Sequence, residues 1–255
     1  MQKPLILVTN DDGITAPGIR NLVEFMNELG EVVVVAPNSP QSGKGHAITI
    51  NQTLTFEEIS LEGPQTDYSL SGTPVDCVKF ALDKILDRKP DIVVSGINHG
   101  ANSSINVIYS GTMSAAVEAG VEGLQAIGFS LLDFSWDADF SQAKEYIQNI
   151  VKKVLENPLP KGVVLNVNIP KLPKDEIKGI KVCKQANAKW EENFDERINP
   201  HGKKYYWLTG YFNNMDKSED ADETALAEGY ISIVPVKFDL TAHEYLKELE
   251  EVMQF

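Results

Sequence analysis

The chain has 255 residues, enough for one large α/β domain or a domain with an excursion, and 42% of them are hydrophobic, enough for a sizeable core. Acidic residues outnumber basic ones 37 to 23, for a formal net charge of −14. With no Lys/Arg-rich stripe in that field, nucleic-acid binding is not expected, and a phosphate ligand would need a local cation.

The opening "MQKPLILVTNDDG" has one lysine and a short apolar run before two acids, so it does not read as a signal peptide. "PLILVT" (4–9) is a continuous apolar run, the signature of a strand covered on both faces. Pro17 opens a helix over 17–30 whose apolar face is Ile19, Leu22, Val23, Phe25 and Met26, with Gly30 ending it. "EVVVVAP" (31–37) is a second buried strand, followed by the Ser/Gly-rich loop "NSPQSGKGH". Residues 47–71 read as short strands with turns. A helix over 73–86 has Thr73 as its N-cap and proline at its first position. "PDIVVSG" (90–96) is a further buried strand, "INHGANSSINVIYSG" a long polar loop, and 112–123 a small-sided helix. A strand at 126–131, a helix over 140–156 and a strand over 162–170 complete a β-α-β-α order. That order predicts an α/β fold with a Rossmann-like, doubly wound, mostly parallel sheet.

Past residue 180 the texture turns polar and aromatic, with Trp190, Phe194, Tyr205, Tyr206, Trp207 and Tyr211, and then the acidic run "DKSEDADE". The expected division is a Rossmann-like core over 1–180, a β-rich excursion or oligomerisation arm over 181–240, and a C-terminal helix over 241–255 packing back on the core. No run reaches the ~18 apolar residues of a membrane span. A cytoplasmic protein with no membrane partner is expected. Cys77 and Cys183 form no C-x-x-C pair and are expected as buried, reduced thiols.

Several motifs fail on inspection. "SGKGH" lacks the upstream glycine of a P-loop, where Asn38 stands, and Gly45 replaces the Ser/Thr after Lys44. "DKSEDADE" has Ala221 where a calcium loop needs glycine. What survives is positional. In an open parallel sheet, ligands bind beyond the carboxyl ends of the strands. Three buried strands run into polar, glycine-containing loops: Asn10, Asp11, Asp12 and Gly13; Asn38, Ser39, Gln41, Ser42 and Gly43; Asn98, His99, Gly100 and Asn102. Their candidate ligands are all oxygen donors, the set of a hard cation such as Mg²⁺, Mn²⁺ or Ca²⁺. Adjacent Asp11 and Asp12 repel each other unless such a cation sits beside them. A fourth element, Ser110, Gly111, Thr112 and Ser114 at the start of a helix, offers N–H groups and hydroxyls as a phosphate cradle.

"ILVTNDDGITAPGI", "VVVAPNSPQSGKGHAIT", "SGTPVDCV", "DIVVSGINHGAN" and "YSGTMSAAVEA" together resemble the SurE family, the survival-protein phosphatases that act as 5′-nucleotidases. The resemblance spans nearly all of residues 4–170. It implies a Rossmann-like core and a metal-dependent phosphomonoesterase acting on nucleoside 5′-monophosphates, and leaves open side activity on 3′-monophosphates and short polyphosphate. It puts the ligands of one divalent cation per subunit on Asp11, Asp12, Ser42 and Asn98, with Asp11 and Asp12 catalytic. Phosphate contacts then fall to Asn10, Gly43, Ser110, Gly111, Thr112 and Ser114. It also implies a homodimer or homotetramer built by a C-terminal arm. Gln41 stands where the family commonly has a basic residue before Ser-Gly. Asp11 could either orient the attacking water or attack phosphorus itself, and the residue spacing does not choose. His46 and His99 are candidates to protonate the leaving oxygen, and Lys44 to steer an anionic substrate. The rival reading is a non-catalytic α/β protein that senses a nucleotide or phosphate without turning it over.

Overall fold

Apolar runs alternating with amphipathic segments produce a layered α/β molecule; the computed structural model describes residues 3–135 and 137–253. The elements, in chain order, are β1 (Leu5–Thr9), α1 (Pro17–Asn27), β2 (Glu31–Pro37), β3 (Phe56–Ile59), β4 (Thr66–Leu70), α2 (Pro74–Phe80), β5 (Ile92–His99), α3 (Gly111–Val121) and β6 (Ala126–Leu131). There follow α4 (Lys144–Glu156), β7 (Val163–Ile169), β8 (Ile180–Val182), β9 (Ala188–Ile198), β10 (Lys204–Asn214), α5 (Asp222–Ala227), β11 (Ile231–Lys237) and α6 (Leu246–Val252). Nine strands form one sheet in the order β3-β4-β2-β1-β5-β6-β7-β11-β8, while β9 and β10 pair only with each other. Pairing is parallel from β4 through β7, and β3 and β11 add antiparallel contacts on β4 and β7.

The two faces of the sheet explain the continuous apolar runs. Ile6 and Val8 of β1, Val32 and Val34 of β2 and Ile92 and Val94 of β5 pack with Ile19, Leu22 and Met26 of α1 and Ile147 and Val151 of α4. Leu7, Val35 and Val93 point the other way, onto Cys77 and Val78 of α2 and Met113, Ala115 and Ala116 of α3. Each fully buried Leu or Ile contributes roughly 1.5–3 kcal/mol. The expected doubly wound, mostly parallel sheet is therefore the observed one.

Local chemistry sets the helix starts. Thr73 caps α2 by accepting from the Asp76 N–H (3.1 Å), and Asp76 reciprocates by accepting from the Thr73 N–H (2.9 Å), a capping box with Pro74 at the first position. The helix expected over 73–86 does not stay α-helical: a π-helical turn takes over at Ala81–Ile85. The strand expected to stop at residue 96 runs on to His99, so Asn98 sits at a strand end rather than in a loop.

The C-terminal region departs more. β8 and β11 join the central sheet and α5 packs against β11, with Ala225 and Val234 in one small core. The part that leaves the sheet is the β9–β10 hairpin, Ala188 to Asn214, narrower than the expected 181–240. Its reach comes from strand pairing, which aromatic content alone does not reveal. The helix expected to pack back on the core, α6, buries no residue in the single chain. Among the described residues no helix is long and apolar enough to cross a membrane.

Candidate metal and phosphate site

Strand order reverses between β1 and β5: from β1 the chain moves outward to β2, and β5 returns on the other side of β1. A crevice opens at such a switch point, beyond the carboxyl ends of the two strands. Asp11 and Asp12 follow β1, and Asn98 ends β5, so these residues flank the crevice from both sides. The Asp12 Oδ2 lies 3.4 Å from the His99 N–H, next to Asn98. The loop after β2 joins from a third direction, where the Gln41 N–H donates to the Asp11 carbonyl (2.8 Å). Gly45 N–H in turn donates to the Tyr109 carbonyl (3.2 Å), tying that loop to the segment before α3.

Asp11 is buried at 4% exposure, an unusual place for a carboxylate. Its Oδ1 accepts from the Thr112 hydroxyl (2.5 Å), and its side chain lies against Gly111, where an added Cβ would come within 2.6 Å of the Asp11 Cβ. Only glycine lets the first residue of α3 approach so closely. The carboxylate thus sits at the positive end of a helix of 11 residues. Burial, with the neighbouring Asp12 charge adding to it, still pushes Asp11 up to about 6, and burial raises Asp12 as well. Two carboxylates kept close together and driven toward protonation are a pair that a cation would stabilise.

The remaining donors fit such an ion. Asn98 Nδ2 donates to the carbonyls of His99 (3.2 Å) and Gly100 (2.9 Å), which leaves its Oδ1 free to coordinate. Asn10, 1% exposed, donates from Nδ2 to the Gly13 carbonyl (3.0 Å) and so closes the Asp-Asp turn; its Oδ1 is buried with no partner among the described residues. Ser42 and Gly43 are exposed on the loop held by Gln41. Lys44 Nζ donates to Gln41 Oε1 (2.6 Å), placing a cation beside the position where Gln41 itself has none. Among the described residues no three His, Cys, Asp and Glu side chains gather into a metal-holding group. The candidate set here is two carboxylates, one hydroxyl and one amide, which suits a hard cation.

The hydroxyls at the start of α3 are already engaged. Ser110 caps the helix by accepting from the Met113 N–H (3.0 Å), Ser114 donates to the Ser110 carbonyl (2.6 Å), and Thr112 serves Asp11. What this helix end offers an anion is its first backbone N–H groups, which no intrahelical acceptor can reach.

Two supporting groups lie behind the site and carry no local motif. Glu118, buried on α3, forms ion pairs with Lys79 Nζ (2.5 Å) and His46 Nε2 (2.8 Å), anchoring the far end of the β2 loop; the hydrogen bond with His46 outweighs burial and lowers its pKa. The signal was the lone acid in an otherwise small and apolar helix. Asn168 Oδ1 accepts from the Asn102 N–H (2.8 Å), Asn166 Nδ2 donates to the Asn102 carbonyl (2.8 Å), and Asn102 Nδ2 donates to Ser130 Oγ (2.8 Å). These contacts clamp the turn after β5 onto the sheet. Two asparagines at alternate positions of the apolar strand "VVLNVNI" were the readable trace. The His99 ring packs edge-on against Phe140, centroids 4.9 Å apart.

The family model described as "Survival protein SurE" matches residues 6–192. A protein of Christiangramia forsetii named 5′-nucleotidase SurE is 68% identical over 250 residues, covering 97% of this chain and 96% of that protein. A namesake from Cytophaga hutchinsonii is 59% identical over 256 residues, covering 100% and 99%. The crystal structure of the Sure protein from Aquifex aeolicus superposes with a TM-score of 0.85 at 38% identity, covering 98% of this chain and 100% of that one.

Proposed function

This chain belongs to the SurE family, and on that premise we propose that it is a divalent-metal-dependent 5′-nucleotidase, hydrolysing nucleoside 5′-monophosphates to nucleoside and inorganic phosphate. The observation that carries the reading is the buried Asp11, with Asp12 beside it, wedged between the carboxyl end of β5 and the amino end of α3. Asp11, Asp12, Ser42 and Asn98 would hold the cation. When bound, it supplies Lewis-acid polarisation of a phosphoryl oxygen and neutralises charge that a −14 protein cannot neutralise globally.

The chain's own groups do the positioning that phosphoryl transfer chiefly requires. The N–H groups of Gly111 and Thr112, with the Gly43 backbone opposite, take the non-bridging oxygens. Thr112 holds Asp11 in one orientation, and the Asn98 amide is fixed by its two carbonyl contacts. A sensor that only binds phosphate would need the helix end alone; two buried or half-buried carboxylates beside it favour catalysis. Mg²⁺ or Mn²⁺ is the proposed ion, with Ca²⁺ able to occupy the same oxygen set. Purified protein is expected to release phosphate from a nucleoside 5′-monophosphate with Mg²⁺ or Mn²⁺ and to stop on chelation. No release with any divalent cation would refute the reading.

We also propose a homodimer or homotetramer built on the β9–β10 arm. Phe194 and Tyr206 on one face of the hairpin and Trp207 and Tyr211 on the other are all more than half exposed, apolar surface on an arm that a second copy would cover. Replacing residues 188–214 by a short turn should leave a monomer by light scattering; an unchanged mass would remove the arm from the interface.

A further inference from the structure

The turns that follow β5 and β6 lie side by side on the carboxyl edge of the sheet. Asn98 pairs with Ser130 and His99 with Leu131, and the Gly100 N–H donates to the Leu131 carbonyl (2.8 Å). The β6 turn is braced from below. Asp133 accepts from the Ser135 N–H (2.9 Å), from the Ser135 hydroxyl and from Lys171 Nζ (2.9 Å), and its own N–H donates to the Leu131 carbonyl (2.7 Å). Phe134 stands at the apex of this closed turn and is 81% exposed. Its ring lies on Gly100, where an added Cβ would come within 2.1 Å of Phe134 Cε1.

An isolated exposed phenylalanine is ordinary. This one differs in its mounting and its place. It is mounted on a hydrogen-bonded turn against the backbone two residues beyond the candidate ligand Asn98, on the edge where the crevice opens. We propose that Phe134 is a specificity-determining residue, the platform on which the base of the nucleotide stacks while its phosphate sits at Asp11, Asp12 and the start of α3. The proposal rests on the nucleotidase reading above. The polar side chains that brace the turn on either side of Phe134 are engaged with one another: Asp133 accepts from both Ser135 and Lys171. The platform therefore contributes affinity through the ring face, which every base shares, without reading hydrogen-bonding edges. Purine monophosphates should profit more than pyrimidine ones, and adenine and guanine about equally.

Steady-state phosphate release decides the matter, with adenosine 5′-monophosphate and the base-free ribose 5-phosphate as substrates. Phe134→Ala should raise KM for adenosine monophosphate roughly tenfold, leave kcat within about twofold, and leave ribose 5-phosphate kinetics unchanged. Phe134→Trp should keep the wild-type KM. An unchanged KM for adenosine monophosphate in Phe134→Ala overturns the platform alone. So does a parallel loss on both substrates, which would mark the residue as merely structural. Wild-type protein that releases phosphate from neither substrate refutes the nucleotidase reading and the platform with it.

Discussion

The crevice between β1 and β5 and the β9–β10 arm invert the usual distribution of residues in opposite senses. In the crevice, polar side chains are buried among apolar strands: Asn10, Asp11, Asn102, Thr112 and Asn168 are nearly or wholly inaccessible. In the arm, large aromatic side chains stay in water on two strands that pair only with each other. A buried polar group costs free energy unless something pairs it, and a lone two-stranded hairpin is at best marginally stable. Both regions therefore point outward from the chain. The crevice asks for a ligand that satisfies its charges, and the arm asks for a surface that covers its rings.

That contrast can be broken by experiment, most severely in the crevice. Asp11→Asn should lower kcat/KM more than about 100-fold, since the cation loses a charged ligand. The melting temperature should hold, because one of two repelling carboxylates has gone. Activity near wild type would move the site elsewhere. Next comes the clamp behind it. Asn168→Ala strands the Asn102 N–H and the Asn166 Oδ1 in the interior, at a cost of roughly 1–3 kcal/mol in a urea titration. A change close to zero would mean that water takes over these bonds.

A smaller effect is expected at the start of α2. Burial opposes ionisation of Asp76, but hydrogen bonds from Thr49 and Thr73 prevail and hold its carboxyl below the ordinary value. Its contribution is therefore present above the unfolded pKa near ~4 and is lost as pH falls through the lower folded value. Asp76→Ala should cost about 1 kcal/mol at pH 7 and nothing in strong acid, read from melting curves across pH. Last is the arm: Lys204→Ala removes an exposed pair with Glu196 and should leave the melting temperature unchanged.

Much of the core was readable because its signals are local. "EVVVVAP" is a strand at the expected limits, and Pro17 and the Thr73-Pro74 pair start helices where expected. The end of β5 is not legible locally, because Asn98 and His99 look like loop residues, yet they pair with Ser130 and Leu131 of a strand about thirty positions later. β8 and β11 read as part of the excursion, because nothing local says that β11 lies antiparallel on β7. In the site, Asp11 and Asp12 stood out as acids at the end of an apolar strand. Glu118 and the Asn166–Asn168 pair did not, since their partners, His46 and Asn102, are more than 60 residues away in the chain.

By itself, the sequence determined the periodicity of the layers, the helix starts and the oxygen-rich character of three strand-ending loops, all consequences of side-chain chemistry within a few residues. The tertiary structure alone decided that the strand order reverses between β1 and β5, that Thr112 and Gly111 meet Asp11, and that Phe134 rests on Gly100. Those are contacts between distant segments. They follow from how the sheet is wound and how closely its helices pack, and no short window of residues encodes them.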